Sequence, residues 1–249
     1  MTKPLIETSI DITGKHVLEF YSKAHRYKLD GEFITSTTDT KKGYPPSEQL
    51  IKYWIKQGMD EFESGKKLKK QASVGTLMHA YCHALRTNTP FNKNQIIGHP
   101  QEKQLQRRFN EVEEWVKERS NEKVIMAEKL AAMITRKVAG KFDVLVEVGG
   151  KLRLQDYKSA KGHFEDAFIQ LGGYSLMIKE WYNLDVQELE VIRFNDNTEK
   201  PSPYLIGQHD IGDFQKQFLV CKDTRDFQKS WGALFTEKYK KENPWLKYK

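Results

Sequence analysis

The segment from Gly140 to Ser159 carries the side chains best suited to chemistry. It is typical of two strands joined by Gly149–Gly150, a dipeptide that commonly forms a two-residue hairpin loop. Counting back from that loop places Asp143 opposite Asp156 on the same face of the hairpin. Their Cβ atoms would then be about 4.5–5.5 Å apart, and the amine of Lys158 would follow two residues further along that face.

Two opposed carboxylates repel each other, and the cost rises if the face of the sheet is covered. A divalent cation that bridges both would compensate, and hard oxygen ligands favour Mg²⁺ or Mn²⁺. The alternative is that both acids are solvated or that each pairs with a lysine. Apolar Leu145 and Leu154 on the same face, and Lys158 after Asp156, favour the cation. A loop of odd length would shift the register and remove the pair.

Paired carboxylates of this kind suit phosphodiester hydrolysis. That reaction needs a nucleophilic water, stabilisation of charge on the phosphoryl oxygens, and help for the leaving alkoxide. One or two divalent cations held by the carboxylates supply all three, and a nearby ammonium such as that of Lys158 adds to them.

Hydrophobic periodicity predicts the elements that must position this hairpin. Asp30–Gly31 predicts a type I′ hairpin near the start of the chain, and Ser47 suits the N-cap of a first helix. The other predicted helices span about Ala72–Arg86, a segment from near Leu105 to Ser120, Phe164–Trp181, and a segment from about Asp213 into the basic tail at 238–249. The predicted strands are Val124–Glu128, Val138–Val148, Leu152–Ser159, Leu189–Phe194 and Tyr204–His209.

Several short motifs follow one another in an informative order. Gly140-x-x-Asp143 is followed by Asp156-Tyr157-Lys158 on the next strand and by Gln170-x-x-x-Tyr174 on the next helix. Gly75-Thr76-Leu77-Met78-His79 lies upstream on another helix. This order resembles the RecB-type branch of the PD-(D/E)XK nucleases over about residues 72–182.

The start of the chain is similar to phage and mitochondrial genome-maintenance exonucleases in its His25-Arg26-Tyr27 hairpin and Ser36-Thr37-Thr38. Phe142 replaces the proline before Asp143, and the third motif acid is Asp156 rather than a glutamate; both departures are common in the branch. Gly172–Gly173 is less usual, because each glycine costs a helix roughly 1 kcal/mol. It either permits a close approach or breaks the helix and alters the Gln170–Tyr174 spacing.

The resemblance implies a set of metal ligands. His79, Asp143 and Asp156 would bind one or two Mg²⁺ or Mn²⁺ ions, with the carbonyl of Tyr157 as a fourth ligand. Glu128 matches an acidic position found in some relatives and would be a supporting acid.

The resemblance also implies roles around the metal. Lys158 would orient or activate the attacking water, and Gln170 and Tyr174, one helical turn apart, would position Lys158 or the DNA backbone. The implied function is a metal-dependent deoxyribonuclease, an exonuclease rather than an endonuclease, in DNA recombination or repair. The alternatives are a catalytically silent nucleic-acid-binding or recombination-accessory protein of the same fold, and a structure-specific endonuclease.

The implied fold is α/β, with a restriction-endonuclease-like core in which helices flank a central mixed sheet, and with a helical N-terminal part. We expect a single domain over 1–249: a hairpin and helix at 1–71, the catalytic core at 72–210, and a C-terminal helix and basic tail at 211–249. The implied partners are DNA, a single-strand-binding or annealing protein, and a second copy of the chain.

Composition sets outer bounds on these expectations. The 41 lysines and arginines against 34 acidic residues give a net charge of +7, which fits a polyanionic partner no better than simple solubility. Cys82 and Cys221 are the only cysteines, so a disulfide framework and a four-cysteine iron–sulfur cluster are excluded. We find neither a leader pattern nor an apolar run of membrane-spanning length, and expect an intracellular, cytoplasmic protein that could be phage-encoded.

Two further patterns have ordinary interpretations. His79 and His83 lie four residues apart, but no third zinc ligand is evident, and Cys82 between them is best explained as a buried thiol. Lys66–Lys70 and the tail at 238–249, where lysines alternate with aromatic residues, could contact phosphates and bases. Solvated surface explains both about as well.

Overall fold

A computed structural model describes residues 6–44, 61–159, 165–194 and 202–242. Most of the helix predicted after Ser47 and the end of the basic tail lie outside these residues. The strands are β1 Ile6–Ile10, β2 Val17–Tyr21, β3 Arg26–Leu29, β4 Glu32–Ser36, β5 Lys123–Met133, β6 Val138–Val148, β7 Lys151–Lys158, β8 Glu188–Arg193 and β9 Ser202–Ile206. The α-helices are α1 Thr37–Thr40, α2 Glu61–Thr87, α3 Glu102–Glu118, α4 Glu165–Tyr182 and α5 Gln208–Glu242.

All of these strands belong to one mixed sheet with helices on both faces, as predicted. Its order is β1-β2-β3-β4-β6-β7-β8-β9, and β5 pairs with β6 outside that path. The β4–β6 and β7–β8 pairs are parallel, and the remaining pairs are antiparallel. None of the helices in the described ranges is both long and apolar enough to cross a membrane.

Two layers of buried side chains hold the helices against the sheet. On one side, Leu145 and Leu154 pack with Trp181 of α4 and Phe218 of α5. On the other side, Val144 and Val146 pack in a second cluster with α2 and α3, which includes Met78 and Phe109. The sheet is therefore covered on both faces along β6 and β7, which makes any charged side chain there costly to bury.

The N-terminal part contains more strand than the predicted hairpin, and the helix predicted after Ser47 lies mostly outside the described residues. Residues 6–36 form an antiparallel sheet of four strands, β1 to β4. Its last turn is the predicted hairpin, because Leu29 pairs with Glu32 and both Asp30 and Gly31 have positive φ, at 51° and 85°. The strands are only four or five residues long, too short for a strong alternating pattern in the sequence.

Some element boundaries also differ from prediction. Helix α2 begins at Glu61 rather than near Ala72, because lysine is a good helix former and the run Lys66–Lys70 does not interrupt it. Helix α5 begins at Gln208 rather than near Asp213. Strand β9, predicted over Tyr204–His209, spans Ser202–Ile206 instead.

Strand β6 changes its neighbour partway along its length. One edge pairs with β5 from Val138 to Glu147. The other edge pairs first with β4, at Val138 and Ala139, and then with β7, from Val144 onwards. Residues 140–143, which carry the Gly140-x-x-Asp143 motif, lie between these two pairings. The second edge of β6 is therefore open to side chains at this motif.

The close packing of α4 on α5 explains why residues 172 and 173 are both glycine. A Cβ atom at Gly172 would lie 2.6 Å from the carbonyl carbon of Phe214, and one at Gly173 would lie 2.5 Å from the ring of Phe218. The helix continues unbroken through both glycines, so the spacing of Gln170 and Tyr174 is helical. Of the two explanations that the sequence left open, close approach of backbone is confirmed.

Alanine at Gly172 should lower the free energy of unfolding by about 1–3 kcal/mol, because the backbone of α5 must move to admit a methyl group. Alanine at Gly232 is the matched control in α5, since a Cβ there meets nothing within 4 Å. That substitution should raise the free energy of unfolding by about 0.5–1 kcal/mol through helix propensity. Urea unfolding measures both, and a Gly172→Ala protein as stable as the parent would contradict the close packing.

Candidate active site

The β6–β7 hairpin has the register that its sequence predicts. Gly149 and Gly150 both have positive φ, at 56° and 79°, as a two-residue type I′ loop requires. Val148 pairs with Lys151, and the register continues without a shift to Val144 and Gln155. The next position along each strand is Asp143 on β6 and Asp156 on β7.

The two aspartates lie side by side but make different contacts. The backbone N–H of Tyr157 donates to Asp143 Oδ2 at 2.8 Å, so this carboxylate takes the place of a backbone partner where the ladder ends. Asp156 Oδ2 forms an ion pair with Lys158 Nζ at 2.6 Å. The Asp156 side chain is only 6% exposed, and that of Asp143 is 15% exposed.

His79 and Glu128 complete the cluster. His79 Nδ1 on α2 lies 3.3 Å from Asp143 Oδ2. One ligand atom from each of His79, Glu128 and Asp143 lies within 4.8 Å of the others, which makes them a candidate metal site. His83 is not part of this group, and Cys82 is a fully buried thiol in the core, as predicted.

Glu128 reaches the cluster through an irregular stretch of β5. On either side of it, Ala127 pairs with Val144 and Lys129 pairs with Phe142, so Glu128 lies opposite Asp143. Its φ is 52°, a left-handed conformation that costs a non-glycine residue free energy. The strand runs on to Met133, well beyond the predicted end at Glu128, because this residue and a register shift near Val124 break the simple alternation.

Acidic side chains therefore occupy the same level on three neighbouring strands: Glu128 on β5, Asp143 on β6 and Asp156 on β7. Two lysines lie near these acids. Lys158 forms an ion pair with Asp156, and Lys141 Nζ lies 3.4 Å from Glu128 Oε2. A histidine nitrogen and several carboxylate oxygens form a donor set that divalent cations such as Mn²⁺ and Mg²⁺ accept. The residues present fit such a cation.

Burial and mutual attraction shift the pKa values of this cluster in opposite directions. Burial alone would raise the pKa of Asp143, but His79, Lys158 and the N–H of Tyr157 outweigh it and lower that pKa. Burial raises the pKa of Asp156; Lys158 opposes that shift and the charge of Asp143 adds to it. The pKa of Lys158 is raised because the two aspartates outweigh its burial. The charged ammonium form is therefore favoured beside Asp156.

Helix α4 supplies the other predicted residues. Gln170 Nε2 donates to the hydroxyl of Tyr174 at 3.2 Å, so these two side chains act as a pair. The ring of Tyr174 packs against Gly140, where a Cβ atom would overlap both that ring and Oγ1 of Thr37. The glycine of the Gly140-x-x-Asp143 motif is thus required by packing across the open edge of β6, a reason that the sequence alone did not show.

The sequence matches the family model of the PD-(D/E)XK nuclease superfamily over residues 54–241. That match covers most of the chain and includes every residue of the cluster. The chain belongs to this superfamily. No curated protein matches the sequence.

Solved structures give weaker likenesses. An alkaline exonuclease from Laribacter hongkongensis, LHK-Exo, is 11% identical with a TM-score of 0.33 over 81% of this chain and 94% of that one. The same enzyme in complex with dAMP is 13% identical with a TM-score of 0.31. A protein described as SSO0001 is 12% identical with a TM-score of 0.27, over 44% of this chain and about half (54%) of that one. The assignment to the nuclease superfamily rests on the sequence match.

A buried network of charges links α2 to the sheet near the candidate site. Arg86, two turns after His79, lies 2.7 Å from Glu122 Oε2, and its side chain is 4% exposed. Arg119 contacts Glu122 at 2.7 Å and Glu190 at 2.8 Å. Gln155 Nε2 donates to Glu190 at 2.7 Å, which ties the residue before Asp156 into the network.

Glu122→Gln should lower the free energy of unfolding by about 3–5 kcal/mol, because it leaves the buried guanidinium of Arg86 without its carboxylate partner. Burial would raise the pKa of Glu122, but Arg86 and Arg119 lower it below 4.5. Its carboxylate therefore stabilises the fold above pH 4.5 and loses that effect as the pH falls. The deficit of the variant, measured by urea unfolding, should shrink in acid.

Lys123→Gln is the matched control, because this neighbouring lysine is 74% exposed and pairs loosely with Glu147 at 3.7 Å. It should change the free energy of unfolding by less than about 1 kcal/mol. If Glu122→Gln and Lys123→Gln changed the free energy of unfolding equally, the buried network would stabilise the fold no more than an exposed ion pair does.

Proposed function

We propose that this protein is a metal-dependent deoxyribonuclease that degrades DNA from its ends. The observation that carries the proposal is the group of His79, Glu128 and Asp143, whose ligand atoms lie within 4.8 Å of one another, with the Asp156–Lys158 ion pair on the adjacent strand. Membership of the nuclease superfamily supports hydrolysis of nucleic acid. The preference for ends rests on the resemblance of the motifs to genome-maintenance exonucleases.

We propose His79, Asp143 and Asp156 as the ligands of one or two Mg²⁺ or Mn²⁺ ions, with the Tyr157 carbonyl as a further ligand. A carboxylate oxygen of Glu128 lies within 4.8 Å of ligand atoms of His79 and Asp143, and Glu128 would support the site directly or through a water. When bound, the cation would supply a nucleophilic water at neutral pH and offset charge on the phosphoryl group. The protein side chains do the remaining positioning.

We propose that Lys158 orients or activates the attacking water and offsets the negative charge of the phosphate. Its ammonium is held 2.6 Å from Asp156 and its side chain is 30% exposed, so it can also donate to a substrate oxygen. An ammonium fixed before the substrate arrives stabilises developing negative charge without reorganisation. The Gln170–Tyr174 pair borders Gly140 and would orient the DNA backbone at the open edge of β6.

The two rival functions predict different behaviour. A silent accessory protein would have no use for three carboxylates at one level of a covered sheet, because uncompensated burial of like charges costs stability. A structure-specific endonuclease would use the same residues but would not need a free end. The partners that follow from the proposal are DNA, a single-strand-binding or annealing protein, and a second copy of the chain; its setting would be recombination or repair in the cytoplasm.

Asp156→Asn and Lys158→Gln should each slow hydrolysis of end-labelled linear DNA by at least about 100-fold, because each removes a group that stabilises the transition state. The measurement is a time course with Mg²⁺ on single- and double-stranded substrates, with circular DNA as the test for ends. Asp213→Asn is the control, since this aspartate is 80% exposed on α5. Full activity in Asp156→Asn would overturn the assignment, and rapid cleavage of closed circles would favour the endonuclease.

Mn²⁺ should raise the melting temperature of the parent protein, because a ligand bound only to the folded state stabilises it, by about 2.7 kcal/mol at 100 times the dissociation constant. The shift in melting temperature should disappear when a chelator is added. It should be much smaller in Asp143→Asn, because this variant lacks one of the proposed carboxylate ligands. Differential scanning fluorimetry across a Mn²⁺ series measures it, with Asp213→Asn as the control. An equal shift in all three proteins would place the cation elsewhere.

A further inference from the structure

Strands β2 to β4 present two aromatic rings, one exposed and one half-buried, and two cations on their outer face. This hairpin face consists of Tyr21 on β2, Arg26 and Lys28 on β3, and Phe33 on β4. Their neighbours in sequence, such as Phe20, Tyr27 and Leu29, point into the core. The Phe33 side of the hairpin is turned outward, and this residue is 51% exposed.

The cations of the hairpin face are stacked on its rings. Arg26 Cζ lies 3.7 Å from the centroid of the Phe33 ring. Lys28 Nζ lies 4.8 Å from the same centroid and 5.5 Å from that of Tyr21. Within the described residues, neither Arg26 nor Lys28 forms an ion pair with a carboxylate. Glu19, opposite Lys28 in the sheet, accepts a long hydrogen bond of 3.5 Å from the hydroxyl of Tyr21.

A basic pocket of about 540 Å³ adjoins the hairpin face and shares Arg26 and Phe33 with it. Its other charged lining residues are Lys137, Lys222, Lys229 and Asp39, so cations outnumber anions in its wall. Lys229 lies 2.6 Å from Asp39, and Lys137 pairs with Glu32 at 2.8 Å. Lys222 contacts Asp226 and is 5% exposed. Arg26 is the cation left to bind an external anion most directly.

The wall of the basic pocket is joined to the strand that carries Asp143. Thr35 and Ser36 line the pocket, and they pair with Val138 and Ala139 at the start of β6. Thr37, the next residue, packs on Gly140 and donates to the carbonyl of Ala139 at 3.0 Å. From Val138 to Asp143 the strand covers about 16 Å.

We propose that the hairpin face and the basic pocket bind a single-stranded segment of nucleic acid, with bases stacked on Phe33 and Tyr21 and phosphates held by Arg26 and Lys28. The inference deepens the proposed function and rests on it for the link to catalysis. Exposed rings interleaved with cations suit unpaired bases, whose faces are free to stack, whereas the bases of a duplex stack on each other. The guanidinium plane of Arg26 extends the stack on Phe33.

Fluorescence anisotropy with a labelled oligothymidylate and a duplex of equal length tests the proposal on the whole chain, with a chelator present to prevent cleavage. Phe33→Leu keeps an apolar side chain but removes the ring, and should weaken binding of the single strand by about 5- to 150-fold. Phe33→Trp should retain or strengthen it. Duplex binding should change less than twofold in both variants.

Replacing Arg26 and Lys28 together with glutamine should reduce the salt dependence of single-strand binding. The slope of log K against log salt should fall in magnitude by about 1.4, at about 0.7 for each lost phosphate contact. Lys216→Gln and Ile10→Ala are the controls: Lys216 is a 79% exposed lysine on α5, and Ile10 is a 58% exposed apolar residue on β1. Both should leave affinity and slope unchanged.

Unchanged single-strand binding by Phe33→Leu would overturn the inference, as would an equal loss for duplex. A change of oligomeric state in size-exclusion chromatography with DNA binding intact would assign the face to a protein contact instead. Hydrolysis of linear DNA by the parent protein is measured in parallel. If the parent protein hydrolyses DNA but Phe33→Leu binds the single strand normally, only this inference is wrong. If the parent protein is inactive but Phe33→Leu binds the single strand more weakly, only the proposed nuclease function is wrong.

Discussion

The repulsion between carboxylates at one level of a covered sheet is the constraint on which the rest of this structure depends. Glu128, Asp143 and Asp156 come from three adjacent strands, and burial makes their charges expensive. Lys158, Lys141 and His79 offset part of that cost. A divalent cation would offset the remainder, so the same electrostatics that destabilise the free protein favour the ion that the proposed hydrolysis requires.

The fold brings these charges together through one irregularity. Strand β6 exchanges β4 for β7 along one edge, and the residues between the two pairings carry the Gly140-x-x-Asp143 motif. Helix α2 delivers His79 from one layer, and α4 delivers Tyr174 from the other, where its ring packs on Gly140. Strand β5 pairs with the opposite edge of β6 and helices cover both faces of the sheet, so pairing and packing restrain the side chains that border this opening.

Local chemistry explains what the sequence predicted and what it did not. The hairpin register was predictable because Gly149–Gly150 selects a two-residue loop, and loop length sets the pairing. The role of Glu128 was weakly predictable, because a left-handed residue inside a strand leaves no mark in composition or period. Strands β3 and β4 were predicted as the hairpin around Asp30–Gly31, whereas β1 and β2 were missed because each is too short to show alternation. Gly172–Gly173 looked like a defect in a helix until Phe214 and Phe218 of α5 were placed against it.

The central claim is that a divalent cation binds among the carboxylates of β5, β6 and β7. Anomalous diffraction from a crystal soaked in Mn²⁺ measures this most directly. The account predicts a strong peak within ligand distance of Asp143 and Asp156, with His79 or Glu128 completing the ligands. A crystal with full access to Mn²⁺ and no peak at this position, or a peak bound by other residues, would contradict it.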